Sequence, residues 1–186
     1  MKSESLSGEI IRQSFPILAL CIIGEVIAGV ILFNLDNFFR VLPGIVVLIP
    51  VVMGTRGNIL GIFGSRITSA LHLGSMKPIF RNNRPLNQNA YAALFLSAII
   101  SILSGIAAHY ATIIFGFQSA GIFKLTMVVL IASVFSDMTL IAIAIVIAFI
   151  SFRRGIDPDN ILLPLTTTIS DAISTLFLVL AVKIII

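Results

Sequence analysis

The chain has 186 residues, of which 58% are hydrophobic and only 11% are charged, and its mean hydropathy is +1.13. A soluble domain of this length carries about 25% charged residues, so this chain has too few polar side chains to cover a surface that faces water. The composition excludes a water-soluble globular protein and indicates an all-α polytopic membrane protein that forms a single transmembrane domain. Its net charge of +4 comes with basic residues beside apolar segments, which favours lipid headgroups as partners and not nucleic acid.

Five apolar segments predict the transmembrane helices, at residues 15–35, 41–73, 90–117, 125–152 and 161–182. The N-terminal sequence MKSESLSGEIIRQSF is too polar for the apolar core of a signal peptide, so we expect the first span to be retained. The stretch GSMKPIFRNNRPLNQN between the second and third segments is the clear loop, with Pro78 and Pro85 as helix breakers. We expect no soluble regulatory domain.

The distribution of basic residues predicts the orientation. With five spans, one side carries Lys2, Arg12, Lys77, Arg81, Arg84, Arg153 and Arg154, and the opposite side carries Arg40, Lys124 and Lys183. Because cytoplasmic loops are enriched in lysine and arginine, we expect the N-terminus in the cytoplasm and the C-terminus outside. The protein is then a multi-pass integral protein of the cell membrane.

The second segment is unusually long and rich in glycine. A helix over residues 41–73 would measure about 50 Å, more than the ~30 Å core of a bilayer, so the segment must tilt, break or leave the membrane. Its glycines predict an irregular element that lines a cavity. On one helical face lie Gly54, Gly57, Asn58 and Gly61. This face favours either a close contact between helices, including one with a second copy of the chain, or a narrow polar path.

One acid, Asp171, lies about 15 Å into the fifth apolar segment, where a carboxylate is costly unless water, charge or metal meets it. Helical spacing places polar or helix-breaking residues on the same face, namely Pro164, Thr167, Thr168, Ser174 and Thr175. A carboxylate flanked by hydroxyls suits a hydrated cation. The alternative is that the hydroxyls bond to backbone carbonyls of their own helix and that Asp171 pairs with an arginine.

Two further acids, Glu25 and Asp137, lie within the first and fourth spans. They are either partners of Arg56 and Arg66 or candidates for a second ion site, and the residues alone leave both readings open. Asp157 precedes Pro158 at the start of the fifth helix. It can cap that helix and also raise the cation concentration at a cytoplasmic mouth.

At these residues the chain resembles the MgtE-type magnesium transporters, and more closely the half-unit of the related eukaryotic solute-carrier magnesium transporters. The similarity is carried by PVVMGTRGN at residues 50–58 and by the stretch from Asp157 to Asp171, in which a DP motif is followed by a proline, threonines and an aspartate. Arg56 departs from the glycine-rich run that is usual in the bacterial branch and resembles the eukaryotic one.

The resemblance implies a homodimer with a pore at its two-fold axis, lined by the second and fifth helices. It implies transport of Mg²⁺, with Asp171 as the main cation ligand and Asn58, Thr167, Thr168 and Asp157 as further polar contacts. It also implies a transporter and not an enzyme. We expect no magnesium feedback through cytoplasmic sensor domains.

Three other functions remain open. The first is a divalent-cation exchanger coupled to Na⁺ or H⁺, in which Glu25 or Asp137 binds the coupling ion. The second is an intramembrane enzyme with Asp137 and Asp171 as a catalytic pair, which the absence of GxGD, HExxH and nucleophile-elbow motifs disfavours. The third is a structural membrane subunit.

Overall fold

The computed structural model describes residues 6–33, 42–80, 83–156 and 158–185. Within these ranges the chain is helical and has no strand. The helices are α1 (Leu6–Phe33), α2 (Ile45–His72), α3 (Arg84–Ile114), α4 (Ile122–Arg153) and α5 (Pro158–Ile185). The predicted all-α class and the order of five helices are confirmed. Most helix ends lie within a few residues of the predicted ends, and the largest difference is at the N-terminus of α1.

Four of these helices contain a stretch that is long and apolar enough to cross a bilayer: Ile45–His72, Arg84–Ile114, Ile122–Arg153 and Pro164–Ile185. In α1 the apolar stretch found among the described residues is Leu18–Phe33. The chain is therefore an integral membrane protein with four spans supported by length and hydropathy. The first span and the orientation of the termini remain predictions.

The irregular second element that the glycines led us to expect is not seen. Residues Ile45–His72 form one continuous α-helix, with Pro50 inside it. Pro50 lies in the second turn of α2, where it removes one backbone hydrogen bond, to the Val46 carbonyl, and the helix continues past it. The glycines are accommodated in α2 because two of them lie against α5 side chains, Gly57 against Thr167 and Gly64 against Leu162.

Pro85 begins a helix and does not break one. The side-chain oxygen of Asn83 caps α3 by accepting from the backbone N–H of Leu86 at 3.4 Å, and Pro85 occupies the first turn. The Asn83 amide also donates to the carbonyls of Lys77 and Ile79, at 2.9 and 3.0 Å. Asn83 thus joins the loop to the start of α3, because its amide can accept and donate at once.

Helix α5 occupies the middle of the bundle, where it packs against α4, α2 and α1. Helix α1 packs chiefly on α5. Its other sides are apolar and exposed, as at Phe15, Ile22 and Phe33. Such a surface is stable in contact with lipid or with another apolar helix, and not in water.

Two separate apolar cores fill the bundle. One lies around Phe63 and Phe149, and the other around Leu48 and Leu178. Between them, on α2 to α5, lies a layer of buried polar side chains, which we call the polar layer. It consists of Arg56, Ser97, Ser101, Ser133, Ser136, Asp137, Thr166, Thr168, Ser170, Ser174 and Thr175. The layer falls near the middle of each of these helices, the part that a spanning helix would place near the centre of a bilayer.

Candidate cation site

The Asp171 carboxyl, half-buried on α5, lies within hydrogen-bonding reach of the Glu25 carboxyl on α1. An ionised carboxylate only accepts hydrogen bonds, so two of them can be this close only with a proton or a cation between them. The Glu25 side chain is exposed in a single copy of the chain. No pattern in the sequence predicts that these two acids meet.

Small residues allow α1 to approach α5 at this level. Gly24 packs directly on the methyl group of Thr168, and an added Cβ would collide with that methyl. One turn earlier, the Cys21 thiol donates to the carbonyl of Pro164, at 3.5 Å. The Thr167 hydroxyl donates to the same carbonyl, at 2.9 Å. These contacts fix the register in which Glu25 reaches Asp171.

The hydroxyls beside Asp171 mostly bond to their own helix. Thr167 donates to the Pro164 carbonyl and Thr175 to the Asp171 carbonyl, at 2.9 and 2.7 Å. This is the alternative that the sequence left open for the hydroxyls. Each oxygen keeps lone pairs that can accept from the water of a hydrated ion. The buried Ser174 hydroxyl has no hydrogen-bond partner among the described residues.

The glycine face of α2 adjoins α5. A Cβ on Gly57 would lie 3.7 Å from the Thr167 methyl, an ordinary contact. Gly61 is half-buried, while Gly54 and Asn58 are exposed in a single copy. The amide of Asn58 therefore faces away from the four-helix interior of its own chain and is open to lipid, water or another copy.

Asp137 has a different partner. The Arg56 Nε atom lies 3.1 Å from Asp137 Oδ1, and both side chains are 1% exposed. Arg56 also donates to the Ser133 hydroxyl, and the Ser97 hydroxyl donates to Asp137. Of the two readings that the sequence left open for Asp137, the structure displays the pairing with arginine. Arg66 is exposed on α2.

The serines of the polar layer on α3 and α4 were not singled out from the sequence. Ser97 and Ser101 lie one turn apart on α3, and Ser133 lies one turn before Asp137 on α4. The signal that could have found them is this spacing, because hydroxyls that recur every four residues in an apolar helix share one face.

The cation ligands that one copy of the chain offers are few. Asp157 lies outside the described residues, although α5 does begin at Pro158. Within the described part of the chain, no three His, Cys, Asp or Glu side chains come together as a metal cluster. A single copy thus offers one pair of carboxyls and several hydroxyls, which suits an ion that keeps part of its water shell.

Comparison with known proteins identifies the family of this chain. Residues 49–181 match the MgtE family, described as divalent cation transporter. The chain is 27% identical over 180 residues to human Solute carrier family 41 member 2, which covers 88% of this chain and 30% of that protein. It is 24% identical over 186 residues to rat Solute carrier family 41 member 3, covering 95% of this chain and 39% of that protein.

The chain therefore spans well under half the length of these curated relatives. The family match covers α3 and α4 completely and most of α2 and α5, including Arg56, Asp137 and Asp171. The resemblance inferred from residues 50–58 and from the Asp157–Asp171 stretch is confirmed. This chain belongs to the MgtE family of divalent cation transporters.

Proposed function

We propose that the protein transports Mg²⁺ across the membrane along a path lined by α2 and α5, with Asp171 as the main cation-binding carboxylate. The observation that carries this proposal is the contact between the Glu25 and Asp171 carboxyls in the middle of two apolar helices. Such a pair is costly when empty, and a divalent cation offsets the repulsion of both charges at once.

The chemistry of the surrounding groups favours a hydrated ion. Mg²⁺ loses its water reluctantly and is usually held by one or two carboxylates, with water completing its shell. That water would form hydrogen bonds with the hydroxyls of Thr167 and Thr168 and with the amide of Asn58. Along α2, the hydrated ion would find room at Gly54, Gly57 and Gly61. Along α5, the path would be lined by Pro164, Ser174 and Thr175. Asp157 would attract cations at the cytoplasmic mouth.

A homodimer completes the proposed path. One copy leaves Asn58 and Glu25 exposed, and five helices alone do not enclose a polar route. A two-fold axis along the bilayer normal would bring two copies of the α2 and α5 faces together, with two Asp171 carboxylates near the axis. The positive-inside bias supports a cytoplasmic N-terminus in each copy.

The test is Mg²⁺ uptake into proteoliposomes that contain a magnesium-sensitive dye. Wild-type protein is expected to take up Mg²⁺, and Asp171→Asn is expected to reduce uptake at least about tenfold, because the charge that binds the ion is lost. Leu180→Ala, on the exposed side of α5, is the matched control and should behave like wild type.

No uptake by wild type would contradict the proposed function, and normal uptake by Asp171→Asn would contradict the site. The same vesicles separate a channel from a coupled exchanger. Uptake that requires an imposed Na⁺ or H⁺ gradient would favour the exchanger, with a proton or Na⁺ bound at the carboxyl pair.

A further inference from the structure

The ion pair between Arg56 and Asp137 joins helices of the bundle interior. Arg56 on α2 pairs with Asp137 on α4 at 3.1 Å and donates to Ser133, also on α4. Asp137 accepts from Ser97 on α3. Both charges are almost fully buried in the polar layer, between the two apolar cores.

Stability alone is a weak reason for such a pair. Two buried charges lose the solvation of water, and apolar side chains of similar volume often stabilise a core equally well or better. The removal of one partner is harmful mainly because the other charge is left buried and uncompensated. The charges of the pair also act on ions bound nearby.

Arg56 lies directly behind the α2 face proposed to line the cation path. The next residue, Gly57, adjoins Thr167 of α5, and Thr167 lies one turn before Asp171. A helix is about 10 Å across, so the guanidinium and a cation on the opposite face are separated by about one helix diameter, roughly 10 Å or slightly more. In the low dielectric of the bundle, an uncompensated positive charge at that distance would repel the ion.

We propose that Asp137 acts as a charge-compensating residue, which neutralises Arg56 so that the negative charge of Asp171 and Glu25 dominates the cation path. This inference rests on the proposed function. Asp137 does not bind the transported ion in this scheme; it acts through Arg56. The affinity for the cation should then follow the net charge of the Arg56–Asp137 pair.

The test compares Asp137→Asn, Arg56→Gln and the double variant in the proteoliposome assay, with KM for Mg²⁺ and maximal uptake measured separately. Asp137→Asn leaves a positive charge and is expected to raise KM at least about tenfold. Coulomb's law for a divalent ion at about 10 Å, with an effective dielectric constant near 20, sets an upper limit of roughly a few hundredfold. Arg56→Gln removes positive charge and should lower KM or leave it unchanged. The double variant has no net charge and should restore KM to within about twofold of wild type.

A second measurement covers variants that reach the membrane in low yield. The Mg²⁺ concentration that half-protects each purified variant against thermal unfolding should change in the same order as KM, since a ligand that binds the folded state stabilises it. The control is Ser136→Ala, a buried change in the same layer of α4 that alters no charge.

A rise in KM for both single variants, without rescue in the double variant, would assign the pair a structural role only and overturn the inference. An unchanged KM in Asp137→Asn would also overturn it. Failure of the proposed function looks different, because wild type itself would then show neither uptake nor protection by Mg²⁺, and the inference would fall with it.

Discussion

Glu25 and Asp171 show how a side chain acquires its role from a neighbour that is distant in sequence. Glu25 belongs to α1, and its carboxyl reaches Asp171 on α5 because Gly24 lets the two helices approach at Thr168. The charged neighbour of Asp171 is another acid, Glu25. A cation shared by both carboxyls is the simplest way to relieve their repulsion, so Glu25 is expected to matter for binding.

We predict that Glu25→Gln lowers the affinity for Mg²⁺ by about three- to tenfold, less than Asp171→Asn, because Glu25 is the more exposed partner. The variant that combines Glu25→Gln with Asp171→Asn should be no worse than Asp171→Asn alone, since both changes remove the same site. Uptake into proteoliposomes over a range of Mg²⁺ concentrations measures this.

The control is Ile22→Ala, an exposed apolar position on the same helix, which should leave uptake unchanged. If the two acidic substitutions multiply their effects, Glu25 and Asp171 act at separate sites and the shared-ion interpretation is wrong.

Helices α3 and α4 approach each other closely at Gly105. A Cβ on Gly105 would collide with the Thr126 backbone at Cα and would lie 2.6 Å from the Thr126 hydroxyl oxygen. A backbone atom cannot move aside as the end of a flexible side chain can. The contact therefore depends on the missing side chain, as in other membrane helix pairs with small residues at the interface.

We predict that Gly105→Ala destabilises the protein by about 1–3 kcal/mol, because overpacking forces the two helices apart. Gly29→Ala is the matched control: a Cβ there meets nothing within 4 Å, and the change should be neutral or stabilising by up to about 1 kcal/mol. Since the chain has no tryptophan, the loss of helical circular dichroism in an SDS titration is the suitable measurement. Equal stability of the two variants would contradict the close contact.

At the level of helices, hydropathy was sufficient to predict most of the fold. A run of apolar residues must form a helix in lipid because its backbone groups have no other partners, so all five helices could be found from sequence. The same rule explains the error in α2. Glycine weakens a helix in water, but in a bundle it also lets neighbouring helices pack closely, as at Gly57 and Gly64, so the helix stays unbroken.

The site was less accessible to sequence reasoning than the fold. Asp171 stood out as an isolated acid with hydroxyls at helical spacing. Its neighbour Glu25 and the pairing of Arg56 with Asp137 depend on which helices adjoin, and hydropathy carries no information on that. The serines of the polar layer on α3 and α4 were not found because a single hydroxyl in an apolar helix bonds to its own backbone as readily as to a neighbour.

For the molecule as a whole, the remaining question is what covers the exposed face of α2. Asn58 is exposed in one copy, although it is adjacent to the half-buried Gly57 and belongs to the matched family region. A polar amide facing lipid in mid-membrane is costly. A second copy related by a two-fold axis would cover it with an identical surface, which is the arrangement proposed above.

We predict that Asn58→Cys, in a Cys21→Ala background, forms a disulfide-linked dimer in membranes treated with copper phenanthroline. Identical residues close to a two-fold axis lie close to each other, and a disulfide forms only when the two Cα atoms come within about 7 Å. Leu103→Cys is the control, because Leu103 on α3 is 55% exposed and would face lipid in the proposed dimer. Cross-linking at Leu103 in place of Asn58 would move the interface to α3, and the absence of a dimer band with either variant would argue against a symmetric path along α2.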